Sequence, residues 1–262
     1  MVSKHKTHVQ PKKKLSQNFL VNEQMQLKVA KKMRDFVKKY NFDFILEIGP
    51  GQGDLTQYFM DLGKKLILVE IDSDAIAFLK QRFSDVKNLE IFNEDGLNFI
   101  CQKKLPNFVL LSNLPFSCGS RILVDLAIYY PNSPFAVILQ KEVAQKIRLD
   151  KPITFFGAWL NLFWELKIEN DIAPGNFYPS PKVYSTLITA KPKLTSKFLQ
   201  TQENRQNAKD ILKSLFAKPR KTIVNNLKGT KFASNSLQLA DQRLSWQNYT
   251  QILEILISKA SS

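Results

Sequence analysis

Short apolar runs alternate with amphipathic segments between residues 42 and 149, and this alternation constrains the fold more than any other feature of the chain. Runs such as 108–111 (Phe-Val-Leu-Leu) are continuously apolar, which is typical of strands buried on both faces. Strands of this kind, each followed by a helix, form a parallel sheet with helices on both sides. The predicted strands are 42–48, 65–71, 89–93, 108–112 and 135–140, and the predicted helices are 24–40, 54–62, 73–83, 118–130 and 141–149. The fold class is therefore predicted to be α/β, with a mostly parallel, doubly wound sheet.

The last third of the chain has a different character. Residues 154–164 are aromatic and uncharged, and they are compatible with a buried helix or a strand, whereas 182–190 has the alternation of a late strand. A Lys-Pro-Lys boundary follows, and beyond it we expect a small helical domain. Its predicted helices are 203–217, 219–228, 234–242 and 245–259. The predicted organisation is thus a flexible arm (1–14), a main α/β domain (15–190) and a small helical domain (191–262).

Positive charge is concentrated at the two ends of the chain. The 262 residues carry a formal charge of +15. Residues 1–14 hold five lysines and no acid, and residues 191–262 hold ten lysines and three arginines against four acids, a net of +9. The segment between them is therefore nearly neutral. Two separate basic ends favour contact with a polyanion such as RNA or DNA, although solvated lysines that keep a protein soluble are the simpler alternative.

Several classes of site are disfavoured by composition. The two cysteines, Cys101 and Cys118, form no Cys-x-x-Cys pair and no disulfide framework, which favours a reducing, cytoplasmic setting. The only histidines, His5 and His8, lie in the lysine-rich tail, so we predict no metal site. The longest uncharged stretch, 105–120, has 16 residues, fewer than the ~20 that a membrane-spanning helix needs. Neither a signal peptide nor a transit peptide is indicated at the N-terminus.

A glycine-rich loop follows the first predicted strand. Gly49, Gly51 and Gly53 form a G-x-G-x-G pattern, in which backbone can approach a ligand closely. The pattern differs from the G-x-G-x-x-G that holds a dinucleotide pyrophosphate. It suits instead a nucleoside with an amino-acid tail, which describes S-adenosylmethionine. A tight structural turn is the alternative.

Acidic residues end the next two strands. Glu70 follows Gly49 by 21 positions and could accept hydrogen bonds from both ribose hydroxyls of a nucleoside, although a surface carboxylate is an equally simple explanation. Asp95 follows the third strand and could accept a hydrogen bond from the amino group of the cofactor adenine. Because parallel strands open on one edge of the sheet, these groups are expected to meet the glycine loop there.

The fourth predicted strand ends in Asn113-Leu-Pro-Phe116. The amide oxygen of Asn113 and the carbonyl oxygen of Leu114 could accept the two N–H bonds of an exocyclic amine. Pro115 would keep the turn rigid, and Phe116 would stack on the ring, unless it is a core aromatic. With a methyl donor beside it, this group predicts methylation of adenine, mainly by placement of the reacting atoms. A base can present its amine only when unpaired, so a single-stranded loop is the expected substrate.

With these residues in place, the chain resembles the rRNA adenine N6-dimethyltransferases, and within them the bacterial small-subunit type. The resemblance covers nearly the whole chain from Lys12. The segments that carry it are 13–20 (Lys-Lys-Leu-Ser-Gln-Asn-Phe-Leu), 47–51 (Glu-Ile-Gly-Pro-Gly), 113–116, 139–144 (Leu-Gln-Lys-Glu-Val-Ala), 177–183 (Phe-Tyr-Pro-Ser-Pro-Lys-Val) and 220–227 (Arg-Lys-Thr-Ile-Val-Asn-Asn-Leu). The segments at 140–143 and 220–227 resemble the small-subunit enzymes rather than their large-subunit relatives.

The resemblance implies a Rossmann-like class I fold that uses S-adenosylmethionine. It implies that Phe177 helps to clamp the target base, and it implies donor contacts at Asn18, Leu20, Gly49, Glu70, Asp95 and Asn113, to which the glycine loop adds Gly51. The implied reaction is four methyl transfers to two adjacent adenosines in a hairpin loop near the 3′ end of small-subunit rRNA. The expected partner is that rRNA, the small ribosomal subunit or its precursor, and we expect a cytoplasmic monomer without membrane contact.

Three alternatives stay open at this point. One is a dimethylase of large-subunit rRNA, of the macrolide-resistance type, and another is a DNA adenine methylase. The third is a non-catalytic assembly or transcription factor that keeps the fold to bind nucleic acid. Intact Glu70, Asp95 and Asn113 argue against this third alternative, because a pure binding protein has no need of them.

Overall fold

The computed structural model describes residues 9–150, 153–218, 220–239, 242–245 and 247–258. The strands are β1 (Phe19–Leu20), β2 (Phe44–Ile48), β3 (Lys65–Glu70), β4 (Leu89–Asn93), β5 (Phe108–Asn113), β6 (Phe135–Gln140), β7 (Trp164–Ile172), β8 (Phe177–Tyr178) and β9 (Ser185–Pro192). The α-helices are α1 (Glu23–Val37), α2 (Ser73–Arg82), α3 (Gly96–Gln102), α4 (Gly119–Tyr129), α5 (Lys141–Gln145), α6 (Phe155–Asn161), α7 (Gln202–Ala217), α8 (Ile223–Leu227) and α9 (Tyr249–Ser258). Short 3₁₀ helices are formed by Lys13–Leu15, Thr56–Tyr58, Met60–Leu62, Pro174–Asn176, Lys197–Leu199 and Ser234–Leu239.

Seven strands form the central sheet in the order β4-β3-β2-β5-β6-β9-β7. The pairs from β4 to β6 are parallel, and β9 and β7 are antiparallel to their neighbours. All five residues of β2 are buried, which is what a central strand covered by helices on both faces requires. The prediction of a mostly parallel, doubly wound α/β sheet is confirmed.

Apolar side chains on the two faces of the sheet belong to different clusters. Ile45 lies in the cluster that contains Met33 of α1, whereas its neighbour Leu46 lies in the cluster that contains Leu123 of α4. Successive residues of a strand point to opposite faces, so one strand supplies both clusters. This arrangement holds the strands rigidly, and with them the loops that follow their carboxyl ends.

The helices after β9 pack onto the sheet domain. Ile211 of α7 and Leu253 of α9 share a cluster with Trp159 of α6. Arg205 is buried, and its guanidinium donates hydrogen bonds to the carbonyl oxygens of Ile128 and Leu199, at 2.6 and 3.0 Å. This arginine therefore joins the two parts of the chain and is not part of an exposed basic surface.

Several predicted elements differ from the observed ones. Strand β7 was not predicted over 165–172, because acidic and basic residues occupy its exposed positions at this edge of the sheet. Residues 155–161 are helical, which settles the choice left open for 154–164. Of the predicted helices, 54–62 is two short 3₁₀ helices, 141–149 ends at Gln145, and 234–242 is 3₁₀ as far as Leu239. Positions 219, 240, 241, 246 and 259 of the predicted C-terminal helices lie outside the described residues.

The N-terminal segment is folded from Val9 onward. Val9 is buried against Phe19 and Ala75, and Lys12 pairs with Asp72. The predicted arm 1–14 therefore differs from the structure over 9–14, whereas 1–8 lie outside the described residues. Further along, β1 pairs antiparallel with β8, which connects this segment to residues close to β9. No helix in the described part of the chain is long and apolar enough to cross a membrane.

Candidate active site

A cavity of about 260 Å³ lies where strands β2, β3, β4 and β5 end. It is bounded by the loops that follow these strands and by the N-terminal segment. All of the predicted site residues except Phe177 line this cavity. The predicted residues that line it are Asn18, Leu20, Gly49, Gly51, Glu70, Asp95, Asn113, Leu114, Pro115 and Phe116. The structure thus brings together groups that are up to 98 positions apart in sequence, from Asn18 to Phe116.

The glycine loop requires residues without a β-carbon. Gly49 and Gly51 have φ angles of 68° and 58°, a region that other residues rarely adopt. A β-carbon on Gly51 would lie 2.5 Å from Cε1 of Phe19, and one on Gly49 would lie 3.0 Å from Cγ of Pro115. The loop consequently packs against the N-terminal segment on one side and against the Asn-Leu-Pro-Phe segment on the other.

The Glu70 carboxylate is held by backbone amides. Its Oε2 accepts a hydrogen bond from the N–H of Gly51 at 3.0 Å, and its Oε1 accepts from Ile71 and Asp72 at 2.9 and 3.0 Å. Burial raises the pKa of this carboxyl, while the three amides oppose the shift. Glu70 is therefore a fixed acceptor at the cavity wall rather than a mobile surface carboxylate.

Four further acidic residues line the same cavity, and two of them, Asp95 and Glu47, lie at strand ends. Oδ1 of Asp95 caps α3 by accepting from the N–H groups of Leu97 and Asn98, at 2.9 and 3.1 Å. Glu47 is buried and accepts a hydrogen bond from the Thr56 hydroxyl at 2.7 Å. The sequence motif contains this residue, but no role was predicted for it. Burial raises the pKa of Glu47 to about 8. A carboxylate just before the glycines, at a strand end, was the signal that could have identified it.

Asn113 has one satisfied and one unsatisfied side-chain atom. Its Nδ2 donates to the carbonyl oxygen of Asn18 at 2.9 Å, whereas its Oδ1 is buried without a hydrogen-bond partner among the described residues. Buried polar atoms are normally paired, and an unpaired one costs stability unless a ligand satisfies it. The amide therefore presents an acceptor at the cavity wall, beside Leu114, Pro115 and Phe116.

Phe177 is the predicted site residue that the structure does not bring to the cavity. It is 3 % exposed, pairs with Leu20 across the β1–β8 ladder, and packs with Val29 and Ile172. The neighbouring Tyr178 is 46 % exposed. Phe116, in contrast, is half-buried and lines the cavity, so its side chain is not part of the core.

One wall of the cavity is formed by residues 14–20, which belong to a segment, residues 12–20, that we call the N-terminal strap. The Lys12 ammonium pairs with Asp72, whose side chain is inaccessible to solvent, and with Asp74 at 2.7 Å. Gln17 also donates to Asp72, at 3.0 Å. Sequence reasoning identified Asn18 and Leu20 but missed these anchors, because a lysine in a basic run gives no sign of a specific partner.

The residues present suit S-adenosylmethionine. The donor carries positive charge on its sulfonium and ammonium groups, and the cavity wall carries the acidic side chains of Glu70 and Asp95. A glycine loop without β-carbons leaves room for close approach, and Glu70 is fixed where hydroxyl groups can reach it. No group of three or more His, Cys, Asp or Glu residues is placed to hold a metal within the described ranges, and both histidines lie outside them.

Comparison with known proteins agrees with this site. The family model described as ribosomal RNA adenine dimethylase matches residues 8–259. The chain is 35% identical to ribosomal RNA small subunit methyltransferase A of Malacoplasma penetrans, over 82% of this chain and 77% of the relative. It is 30% identical to the protein of the same name from Bdellovibrio bacteriovorus, over 90% and 82% of the two chains.

Solved structures show the same fold. A dimethyladenosine transferase from Plasmodium falciparum superposes with a TM-score of 0.63 at 24% identity, over 87% of each chain. The 23S rRNA methyltransferase ErmE also gives a TM-score of 0.63, at 20% identity, over 91% of this chain and 99% of that one. The match of the family model over nearly the whole sequence, together with the two bacterial relatives, shows that the chain belongs to the ribosomal RNA adenine dimethylase family.

Proposed function

We propose that this enzyme dimethylates N6 of two adjacent adenosines in a hairpin loop near the 3′ end of small-subunit (16S) rRNA, during biogenesis of the small subunit. The observation that carries the proposal is the unpaired Oδ1 of Asn113 at the cavity wall. The names of the bacterial relatives support the choice of the small subunit. We further propose that the enzyme acts as a monomer in the cytoplasm, where that RNA is found.

The acceptor half of the site would hold the target base. An adenine amine has two N–H bonds and a lone pair that is delocalised into the ring, so it is a weak nucleophile. Oδ1 of Asn113 and the Leu114 carbonyl oxygen would each accept one N–H, which orients the nitrogen lone pair toward the donor. Phe116 would stack on the base, and Pro115 keeps the turn rigid against Gly49. Because these acceptors are fixed before the base arrives, they need no reorganisation during transfer.

The donor half would hold S-adenosylmethionine, which supplies a methyl group on a positively charged sulfur. Glu70 would accept hydrogen bonds from the ribose hydroxyls, and Asp95 would accept one from the adenine amine. Gly49 and Gly51 allow backbone to approach the donor, and Asn18 and Leu20 close the cavity from the N-terminal strap. Each transfer releases one proton from the amine, and this proton would pass to solvent.

The helical region 191–262 is proposed as the main RNA-binding part, beside the domain 15–190 that carries the site. Between residues 213 and 231 it exposes six cations: Lys213, Lys218, Arg220, Lys221, Lys228 and Lys231. Clustered cations of this kind contact phosphates and give affinity without sequence specificity. In the dimethylation complex we propose that Phe177 moves to clamp the flipped base, starting from its buried position beside Leu20.

Methylation in vitro tests the proposal directly. The purified enzyme, labelled S-adenosylmethionine and either isolated small-subunit particles or naked rRNA from a strain that lacks this enzyme should give dimethyladenosine, mapped by primer extension. Two adjacent modified adenosines near the 3′ end of small-subunit rRNA are expected. Modification of large-subunit rRNA or of DNA instead would overturn the choice of substrate, and RNA binding without transfer would favour a non-catalytic factor.

A further inference from the structure

The end of β8 and the segment that joins it to β9 carry two exposed aromatic side chains next to the site. Tyr178 and Tyr184 are 46 % and 50 % exposed, and Lys182 between them is exposed as well. Pro179 and Pro181 fix two φ angles in this segment, which limits the entropy that ordering it would cost. Solvent-exposed tyrosines on a stiff segment beside lysine are a surface on which a nucleobase can stack.

Tyr184 is held in place by its neighbours. Its carbonyl oxygen accepts a hydrogen bond from the N–H of Lys141 at 2.8 Å, and the Lys141 ammonium lies 5.6 Å from the centre of its ring. Lys141 in turn pairs with Asp171, which also accepts a hydrogen bond from the Thr186 hydroxyl at 2.7 Å. Since Asp171 offsets the charge of Lys141, this lysine orients the ring, and Lys182 remains the exposed cation for a phosphate.

The sheet register places Tyr184 close to the acceptor half of the site. Asn113 pairs with Ile138 of β6, and Gln140 of β6 pairs with Ser185, the residue after Tyr184. Tyr184 is thus two strands across and about three residues beyond Asn113, which corresponds to roughly 14 Å between their backbones. If the target base is held at Asn113, the next nucleotide of the same strand can span a gap of this size and reach the tyrosine.

We propose that Tyr184 is a stacking site for the unpaired nucleotide next to the adenosine that occupies the cavity. This inference rests on the proposed function and extends it to the recognition of a neighbouring base. The tyrosine face binds the base, Lys141 holds the ring, and Lys182 contacts the adjoining phosphate. Stacking accepts any base, so this site fixes the position of the strand rather than its sequence.

The experiment compares methyl transfer by wild-type enzyme and by the Tyr184→Ala, Tyr184→Phe and Leu27→Ala variants. The substrate is a synthetic RNA hairpin with two adjacent adenosines in its loop, alone and within small-subunit particles. Tyr184→Ala should lower kcat/KM about tenfold through KM, in the lower part of the range for loss of one stacked base. Tyr184→Phe, which keeps the ring, and Leu27→Ala, which removes an exposed apolar side chain on α1, should stay near wild type. The dissociation constant of S-adenosylhomocysteine should be equal for all four proteins.

Two further hairpins test which neighbouring nucleotide stacks on Tyr184. One lacks the base on the 5′ side of the target adenosine, and the other lacks the base on its 3′ side. If the neighbour stacks on Tyr184, the penalty of Tyr184→Ala should vanish on one of these RNAs. An equal penalty on all RNAs, no penalty at all, or a penalty only in particles, which would indicate contact with a ribosomal protein, would each overturn the inference. If wild-type enzyme methylates adenine and Tyr184→Ala does so equally well, this inference alone is refuted. If wild-type enzyme methylates neither substrate, the proposed function is refuted.

Discussion

The side-chain nitrogen of Asn113 donates a hydrogen bond to the main-chain carbonyl oxygen of Asn18 at 2.9 Å. This bond sets the orientation of the amide, because the nitrogen faces the strap and the oxygen is left as an unpaired acceptor. It also joins the proposed acceptor site to the N-terminal strap, which lines the proposed donor site. The two halves of the cavity are therefore aligned by one contact.

Replacement of Asn113 by Ala should abolish methyl transfer while RNA binding survives. The variant loses the acceptor for the amine and the bond to Asn18, and loss of one preorganised polar group in an active site typically costs about 100-fold or more in kcat. Asn113→Asp keeps an acceptor but adds charge and loses the N–H, so it should retain only part of the activity. Labelled methyl transfer and filter binding of RNA measure the two properties. Equal loss of transfer and RNA binding would contradict the proposed role.

Loss of Lys12 should weaken donor binding, although Lys12 does not reach the reacting atoms. Lys12→Ala leaves the buried Asp72 carboxylate with Gln17 as its side-chain partner, which should loosen the strap. We expect the dissociation constant of S-adenosylmethionine to rise about threefold to tenfold, and Lys12→Arg to restore most of the affinity. Lys39→Ala removes an exposed lysine beyond α1 and serves as the control. Calorimetric titration measures these affinities, and equal values for Lys12→Ala and Lys39→Ala would refute the role of the strap anchor.

Much of the donor site could be predicted because it depends on strand order. Gly49, Glu70 and Asp95 each follow an apolar run, and parallel strands bring such positions to one edge whatever the details of packing. The Lys12–Asp72 pair could not be predicted, since it joins side chains 60 positions apart through the path of the strap. Strand β7 was missed because the exposed face of an edge strand is polar. The burial of Phe177 could not be predicted either, because it depends on the pairing of this residue with Leu20 in another strand.

Gly51→Ala should destroy donor binding by displacing the strap. The new β-carbon would lie 2.5 Å from the ring of Phe19, in addition to the strain of a φ angle of 58°. Gly63→Ala is a matched control, because Gly63 has a φ angle of 66° and no atom within 4 Å of the new methyl group. The control should lose about 1 kcal/mol of stability and keep its donor affinity. Thermal unfolding and donor titration of both variants separate strain from displacement, and unchanged donor affinity in Gly51→Ala would show that the strap adjusts freely.

The contribution of Glu47 to the stability of the protein without donor should fall as pH rises. Burial raises the pKa of Glu47 from 4.5 to about 8, so between these values the folded state holds a proton that the unfolded chain releases. Each pH unit in that window should lower the free energy of unfolding by at most about 1.4 kcal/mol. Glu47→Gln is neutral throughout, so its stability relative to wild type should increase from about pH 5 to about pH 8. Urea unfolding across this range measures the difference, and parallel curves would mean that Glu47 is ionised in the fold.

RNA binding should depend steeply on salt, with much of the dependence arising from the C-terminal helices. Lys218, Arg220 and Lys221 are exposed around the start of α8, and if each contacts a phosphate, replacing all three with Ala should reduce the slope of log K against log salt by about 2. Replacing Lys28, Lys31 and Lys39 removes the same charge on and beyond α1, a helix that packs on the opposite face of the sheet, and should leave the slope nearly unchanged. Filter binding of the hairpin RNA at several salt concentrations gives both slopes. A local contact depends on where the charge lies, whereas net charge does not. If the slope of log K against log salt falls equally in the two triple variants, the RNA is therefore attracted by net charge and not by a basic surface at α8.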